Sequence, residues 1–269
     1  MASKVNTFLN FDTGCAGESE LIAIGQNNAN GSFLIHHIIS SAIKEKRCVC
    51  LLSFVQKFHH YNSISRKLGV NLQTAQSAIQ FVFLDGLDVL LQTFFVEDCS
   101  STCRKNIGVF RKLREEILST LSRFMETSNS VPLVIIDDVS VLVSLGFGSD
   151  SVGIFVNSLI SEVIDRVIKI AGPQETGGSK IPSIVILSSY SESDRESVYL
   201  WKLLSHISSI SVNVTGLETG YCKDVHGQVT AVWHDRYNHP RPHQRKILQF
   251  KLSETSVEFF ASGMSPAVL

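Results

Sequence analysis

Val131–Gly146 reads VPLVIIDDVSVLVSLG. Pro132 to Ile136 carry no charge, and two carboxylates follow at once, Asp137 and Asp138. A short apolar run closed by acids predicts a strand buried on both faces, in the middle of a parallel sheet. The carboxyl end of such a strand emerges where α/β sheets hold their ligands. Two readings of the acids stay open. They match a Walker B pair, in which the first acid positions Mg²⁺ beside phosphates. They also fit a buried strand that stops at the surface, with the aspartates capping the next turn.

Upstream, Leu21–Gly25 (LIAIG) predicts a strand, Gln26–Ser32 a polar loop, and Phe33–Lys46 a helix with Phe33, Leu34, His37, Ile38, Ser41 and Ala42 near one face. Strand, glycine loop and helix make the outline of a phosphate-binding P-loop. The loop, Gly25 to Ser32, does not carry the chemistry. With Gly31 set on the second glycine of G-x-x-x-x-G-K-[ST], Gln26 falls on the first glycine, Ser32 on the lysine and Phe33 on the Mg²⁺ hydroxyl. Two charge-assisted contacts are worth about 3–6 kcal/mol together, a hundred- to ten-thousandfold in affinity. Backbone N–H groups at the helix start are left as a weak anion holder.

The remaining runs extend the alternation. Arg47–Val55 reads as a second strand, Gln56–Leu68 as a helix carrying His59, His60 and Tyr61, and Phe81–Leu84 as a third buried strand. Asp98–Lys105 reads as a polar linker, Asn106–Glu126 as an amphipathic helix, and Ser151–Ile170 as another. Ala171–Lys180 is the most loop-like stretch. Ser183–Leu187 is a fifth buried run, ending at Ser188-Ser189 where a sensor polar group fits. Four alternating segments follow, at 206–214, 228–233, 247–252 and 256–261. The expected fold class is therefore α/β, a mostly parallel sheet flanked by helices with antiparallel C-terminal strands, in one domain over residues 1–269.

Composition narrows the function classes. Charged residues reach 18% against 44% hydrophobic, with a net charge of −1. Charge below the roughly 25% of average chains suggests surface buried against partners. No uncharged run approaches a membrane span and no leader-like segment opens the chain, so a soluble intracellular protein without membrane contact is expected, in the cytoplasm and also the nucleus. The six cysteines lack C-x-x-C spacing, and Cys48 and Cys50 read as core filler. His59 and His60 point about 100° apart on a helix with no third ligand evident, so no metal site is expected. A local basic arm stands out in His234–Lys246, HDRYNHPRPHQRK, with Arg236, Arg241, Arg245 and Lys246 around Tyr237. It reads either as a solvated hairpin loop or as an arm gripping a phosphate backbone, with a salt slope of roughly −3 on a single strand.

Taken together, GSFLIHHIIS (Gly31–Ser40), KLGV (Lys67–Val70), FLDGL (Phe83–Leu87), LVIIDDVSVLVSLG (Leu133–Gly146), GLETGYCKDVHGQ (Gly216–Gln228) and FFASGMSPAVL (Phe259–Leu269) resemble the sixth-subunit family of the Elongator complex. The resemblance spans nearly the whole chain, and its last two segments are the specific ones. It implies a RecA-like fold without a working Walker A loop, no cofactor, and assembly with the fourth and fifth Elongator subunits into a ring of two copies each. It further implies that this ring binds tRNA and docks on the catalytic Elongator subcomplex, which modifies wobble uridines. RecA-like ATPases also place a water-activating Glu on an inner strand, a region where Asp85 stands with a shorter side chain. The alternatives are an active RecA-like ATPase whose site a neighbour completes, and a small-molecule enzyme, for which no G-x-G-x-x-G or nucleophile motif is present.

Overall fold

The Leu133–Asp137 run forms strand β4 inside a nine-stranded sheet of order β3-β2-β4-β5-β1-β6-β7-β8-β9. The computed structural model describes residues 4–9, 21–96, 102–128, 131–171, 183–217, 220, 222–234 and 244–261. The other strands are β1 (Leu21–Asn27), β2 (Val49–Ser53), β3 (Phe81–Asp85), β5 (Ser183–Ser189), β6 (Ile210–Thr215), β7 (Gly227–Trp233), β8 (Gln244–Leu252) and β9 (Val257–Phe260). β1 to β6 run parallel, and β7, β8 and β9 add in antiparallel sense. This is the expected α/β sheet.

Nine helices are described: α1 (Lys4–Phe8), α2 (Ser32–Lys44), α3 (Phe58–Lys67), α4 (Leu72–Ser77), α5 (Gly86–Val96), α6 (Thr102–Thr127), α7 (Ser140–Ser144), α8 (Ser149–Ala171) and α9 (Arg195–Ile207). They cover the two faces in separate groups. Strand side chains alternate between faces with period two, so Val49, Leu51, Leu133 and Ile135 join the core beneath α1 to α4. Cys48, Cys50, Leu52, Val134 and Ile136 join the core beneath α6 to α9. Both cysteines are thus buried filler, and burial pushes the Cys50 thiol up to about 12. On α6, Val109, Leu113, Ile117, Leu121 and Phe124 are fully buried along one stripe. Full burial of such side chains contributes about 1.5–3 kcal/mol each before chain entropy is subtracted.

Several boundaries differ from the sequence expectation. β3 lies at the sheet edge and is half-buried beyond Phe81, because only β2 pairs with it; it is not a buried strand. β1 continues to Asn27, which draws Gln26 out of the loop and into the ladder against Ser189 and Val214. The linker expected at 98–105 gives way to α6 from Thr102, and residues 98–101 lie outside the described set. α9 runs through Ile207, so β6 starts at Ile210 rather than near 206. β8 starts at Gln244, which removes Arg245 and Lys246 from the basic arm. The buried face of α2 is also turned from the expected one. Leu34, Ile38 and Ala42 are buried, but Phe33, His37 and Ser41 are only half-buried and Ile35, His36, Ile39 and Ser40 are buried beside them, since the helix packs against the sheet on one side and against α1 and α3 on others.

Candidate functional site

The loops after β1, β4 and β5 meet at the carboxyl ends of three adjacent strands, with α3 closing the side. They enclose a cleft of about 530 Å³ bordered by Gln26, Asn30, Ser32, His36, His60, Asp137, Asp138, Ser140 and Ser189, among others. This is where an open α/β sheet places a ligand.

The phosphate-loop position is occupied by the chain's own amides. Gln26 Oε1 accepts from the Gly31 backbone N–H at 2.7 Å, while Gln26 Nε2 donates to Ser189 Oγ at 2.7 Å. Asn30 Oδ1 accepts from the Ser32 backbone N–H at 2.8 Å and from Ser32 Oγ at 2.6 Å. The weak anion holder expected at the start of α2 is therefore corrected at two of its donors. An incoming anion must displace an existing acceptor from each, and exchanging one hydrogen bond for another yields little. Gly25 serves packing. A Cβ there would sit 2.7 Å from Trp201 Cε2, and the Trp201 ring stacks on Tyr190 with centroids 5.7 Å apart.

The two aspartates differ. Asp138 is 3% exposed, and its oxygens accept from the backbone N–H and hydroxyl of Ser140 and from the backbone N–H and hydroxyl of Ser189. That is the geometry of a turn cap tied sideways to β5, with Ser189 joining Gln26 to the acid. Burial raises its pKa, and the hydrogen bonds from Ser189 and Ser140 oppose the rise. Asp137, at 5% exposure, receives the Tyr61 hydroxyl on Oδ2 at 2.5 Å, and Ser53 Oγ stands 2.9 Å from the same hydroxyl. Burial lifts the Asp137 carboxyl to about 6, with the Tyr61 bond pulling the other way and Asp138 adding to the rise. Burial and the adjoining Asp137 raise the Tyr61 phenol in turn. The Asp137–Asp138 peptide is cis.

Asp85 does not border the cleft among the described residues. It pairs with Lys57 at 2.5 Å and accepts from the Asp88 N–H at 3.1 Å, so it starts α5. His36, which the sequence reading passed over, is 4% exposed and its Nδ1 has no hydrogen-bond partner. Burial first, then His60 and His37, lower its pKa to about 4. Among the described residues no group of three His, Cys, Asp or Glu is arranged to hold a metal ion. Among the described residues no helix is long and apolar enough to cross a membrane.

Of the basic candidates, Arg236 and Arg241 lie outside the described residues. Arg245 and Lys246 are neighbours on β8 and so face opposite sides of the sheet. Lys246 Nζ sits 5.3 Å from the Phe8 ring centroid, while Arg245 is exposed. Tyr61 was missed as a site residue because it closes a His-His-Tyr run, and only the phase of α3 turns it inward. Gln26, Ser189 and Asp138 meet only through the sheet order.

A family model described as Elongation complex protein 6 matches residues 3–254. The chain is 34% identical to Elongator complex protein 6 of Homo sapiens and 33% identical to that of Danio rerio, with all of each chain covered. The Dictyostelium discoideum protein of that name is 24% identical over 87% of this chain and 88% of its own. Among solved structures, an uncharacterized Pyrococcus horikoshii protein in complex with an unknown peptide superposes at TM-score 0.66, with 10% identity, 98% of this chain and all of that one covered. A KaiC-like protein from the same organism gives TM-score 0.54 at 7% identity over 90% and 89%. At such identities the likeness concerns fold alone, and the fold is RecA-like.

Proposed function

The chain belongs to the Elongation complex protein 6 family, and from that premise we propose that it is a non-catalytic RecA-like subunit of the Elongator complex, a single domain over residues 1–269. In this reading it assembles with the fourth and fifth subunits into a hetero-hexameric ring. That ring binds tRNA and supports the wobble-uridine chemistry of the catalytic subcomplex, in the cytoplasm and also the nucleus.

The observation that carries the non-catalytic part is the filled phosphate loop. Gln26 and Asn30 satisfy the N–H groups of Gly31 and Ser32, and Ser32 and Phe33 stand where an ammonium and a hydroxyl are needed. Exposed apolar side chains favour assembly: Leu145 on the α7 end, Ile154 on α8 at 71% exposure and Tyr199 on α9, three helices that pack together. Co-expression with the two partner subunits followed by sizing tests the ring. A chain that stays a stable monomer beside them refutes it. For the chemistry, purified chain and assembled ring are assayed for ATP turnover. Turnover that Asp137→Ala abolishes refutes the non-catalytic reading.

A second reading is an ATPase whose site a neighbour completes. It is favoured by the retained Asp137 and Asp138 and by the open cleft above them. It requires Mg²⁺–ATP to bind in the assembled ring and to lose affinity in Asp137→Ala.

A further inference from the structure

The sheet is left open along part of its C-terminal edge. β8 pairs with β7 from Gln244 to Phe250, whereas β9 pairs only with Gln249 to Leu252. Gln244 to Leu248 therefore have a strand on one side alone among the described residues. Successive residues of an antiparallel strand aim their backbone groups at opposite neighbours. Two bonds fix the parity: the Ser253 N–H donates to the Ser256 carbonyl at 2.9 Å, and the His226 N–H donates to the Phe250 carbonyl at 2.9 Å. Even-numbered residues of β8 thus bond β7, and odd-numbered ones bond outward. Gln249 and Lys251 meet β9, while the N–H and C=O of Ile247 and Arg245 point where no described strand stands. The side chains agree. Arg245 and Ile247 are exposed, Ile247 by 44%, and Gln249 and Lys251 on the same face are half-buried beside β9.

An open edge of this kind is a template for a further strand. We propose that this edge of β8 is a docking site and that its occupant is the chain's own segment 262–265, which lies outside the described residues. Direction favours that occupant. Phe260 stands opposite Gln249, so the same register places Ala261 beside Leu248, Ser262 beside Ile247, Gly263 beside Lys246, Met264 beside Arg245 and Ser265 beside Gln244. At about 3.4 Å per residue, that length of chain spans the open part of the edge. Pro266, which has no N–H to offer, falls just past the start of β8.

Residue size favours it as well. On the α1 face, Phe8 stacks on Phe259 with centroids 4.7 Å apart, and Lys246 Nζ lies 5.3 Å from the Phe8 centroid. A strand beside Lys246 runs next to that ring, and the register puts alanine and glycine there, Ala261 and Gly263. On the opposite face it sets Met264 diagonal to the exposed Ile247, within reach of a long side chain. A slip of one residue would turn Met264 onto the Phe8 side and leave glycine on the Ile247 side. A second copy fits less well, since antiparallel pairing of two such edges about their midpoint sets Lys246 opposite its own counterpart. Docking of this kind is independent of the non-catalytic reading, because it uses none of the cleft residues.

Hydrogen exchange read by mass spectrometry on the full chain, over a dilution series, compares residues 244–248 with residues 249–252. The native chain should protect the Arg245 and Ile247 amides at every concentration. Met264→Pro removes the N–H offered to the Arg245 carbonyl, and Gly263→Leu drives a side chain toward Phe8. Each should speed exchange at Arg245 and Ile247 roughly tenfold or more, leaving Gln249, Lys251 and β4 unchanged, and Met264→Leu should keep the native rates. Fast exchange at both amides in the native chain, or protection that survives both Met264→Pro and Gly263→Leu, overturns the proposal. Protection that rises with protein concentration assigns the edge to a second copy, and protection gained only with the partner subunits assigns it to a partner's strand; either result overturns it too.

Discussion

Asp137 and His36 oppose each other in the pH dependence of stability, and two substitutions pull them apart. Asp137 rises from its ordinary 3.8 to about 6, and His36 falls from 6.5 to about 4. At about 1.4 kcal/mol per pH unit, each displacement is worth about 3 kcal/mol. The signs differ. A carboxyl held above its unfolded value favours the fold when protonated, so that contribution is full below pH 3.8 and is lost as pH rises through about 6. A histidine held below its unfolded value contributes fully above pH 6.5, and that is lost as pH falls through about 4. The two nearly cancel across this window in the native chain. The assay is urea unfolding at half-unit steps from pH 4 to 7, at protein concentrations low enough to prevent self-association. Relative to the native curve, Asp137→Asn should lose about 3 kcal/mol on acidification, and His36→Phe should gain a similar amount. Curves for both variants that run parallel to the native one refute the burial argument.

Three further outcomes follow from the same contacts. Gly25→Ala drives a methyl into the Trp201 ring, 2.7 Å away, and should cost about 1–3 kcal/mol by overpacking, read as a lowered unfolding midpoint. Tyr61→Phe removes the hydroxyl shared by Ser53 and Asp137 and should cost about 1–3 kcal/mol. The cost should be smaller in an Asp137→Asn background, where no buried carboxylate is left short of a donor. For the assembled ring, Arg245→Ala should weaken RNA binding more than Lys246→Ala, because Lys246 is drawn over Phe8 while Arg245 is exposed; filter binding at several salt concentrations measures both.

The central strand was legible because burial on both faces demands an unbroken apolar run, and Leu133–Ile136 supplies one. β3 carries an equally apolar FVFL and looked the same, yet it closes the sheet, and only the strand order makes it an edge. Helix starts were less visible. The α6 helix begins at Thr102, inside the Asp98–Lys105 stretch whose charged and small residues read as a linker. β8 begins in Gln244-Arg245-Lys246 for a related reason, since half-exposed ribbon needs no alternation to pair with β7. The ruined phosphate loop could be read from the missing lysine alone. That Gln26 fills it could not, because its second partner, Ser189, is 163 residues away.

The Trp201 ring beside Gly25 has an optical consequence. The chain holds two tryptophans, one on α9 against the parallel half of the sheet and the other, Trp233, 4% exposed on the antiparallel strand β7. Each half therefore carries its own fluorophore. Paired Trp→Phe variants would show by emission whether the C-terminal ribbon melts with the body or ahead of it.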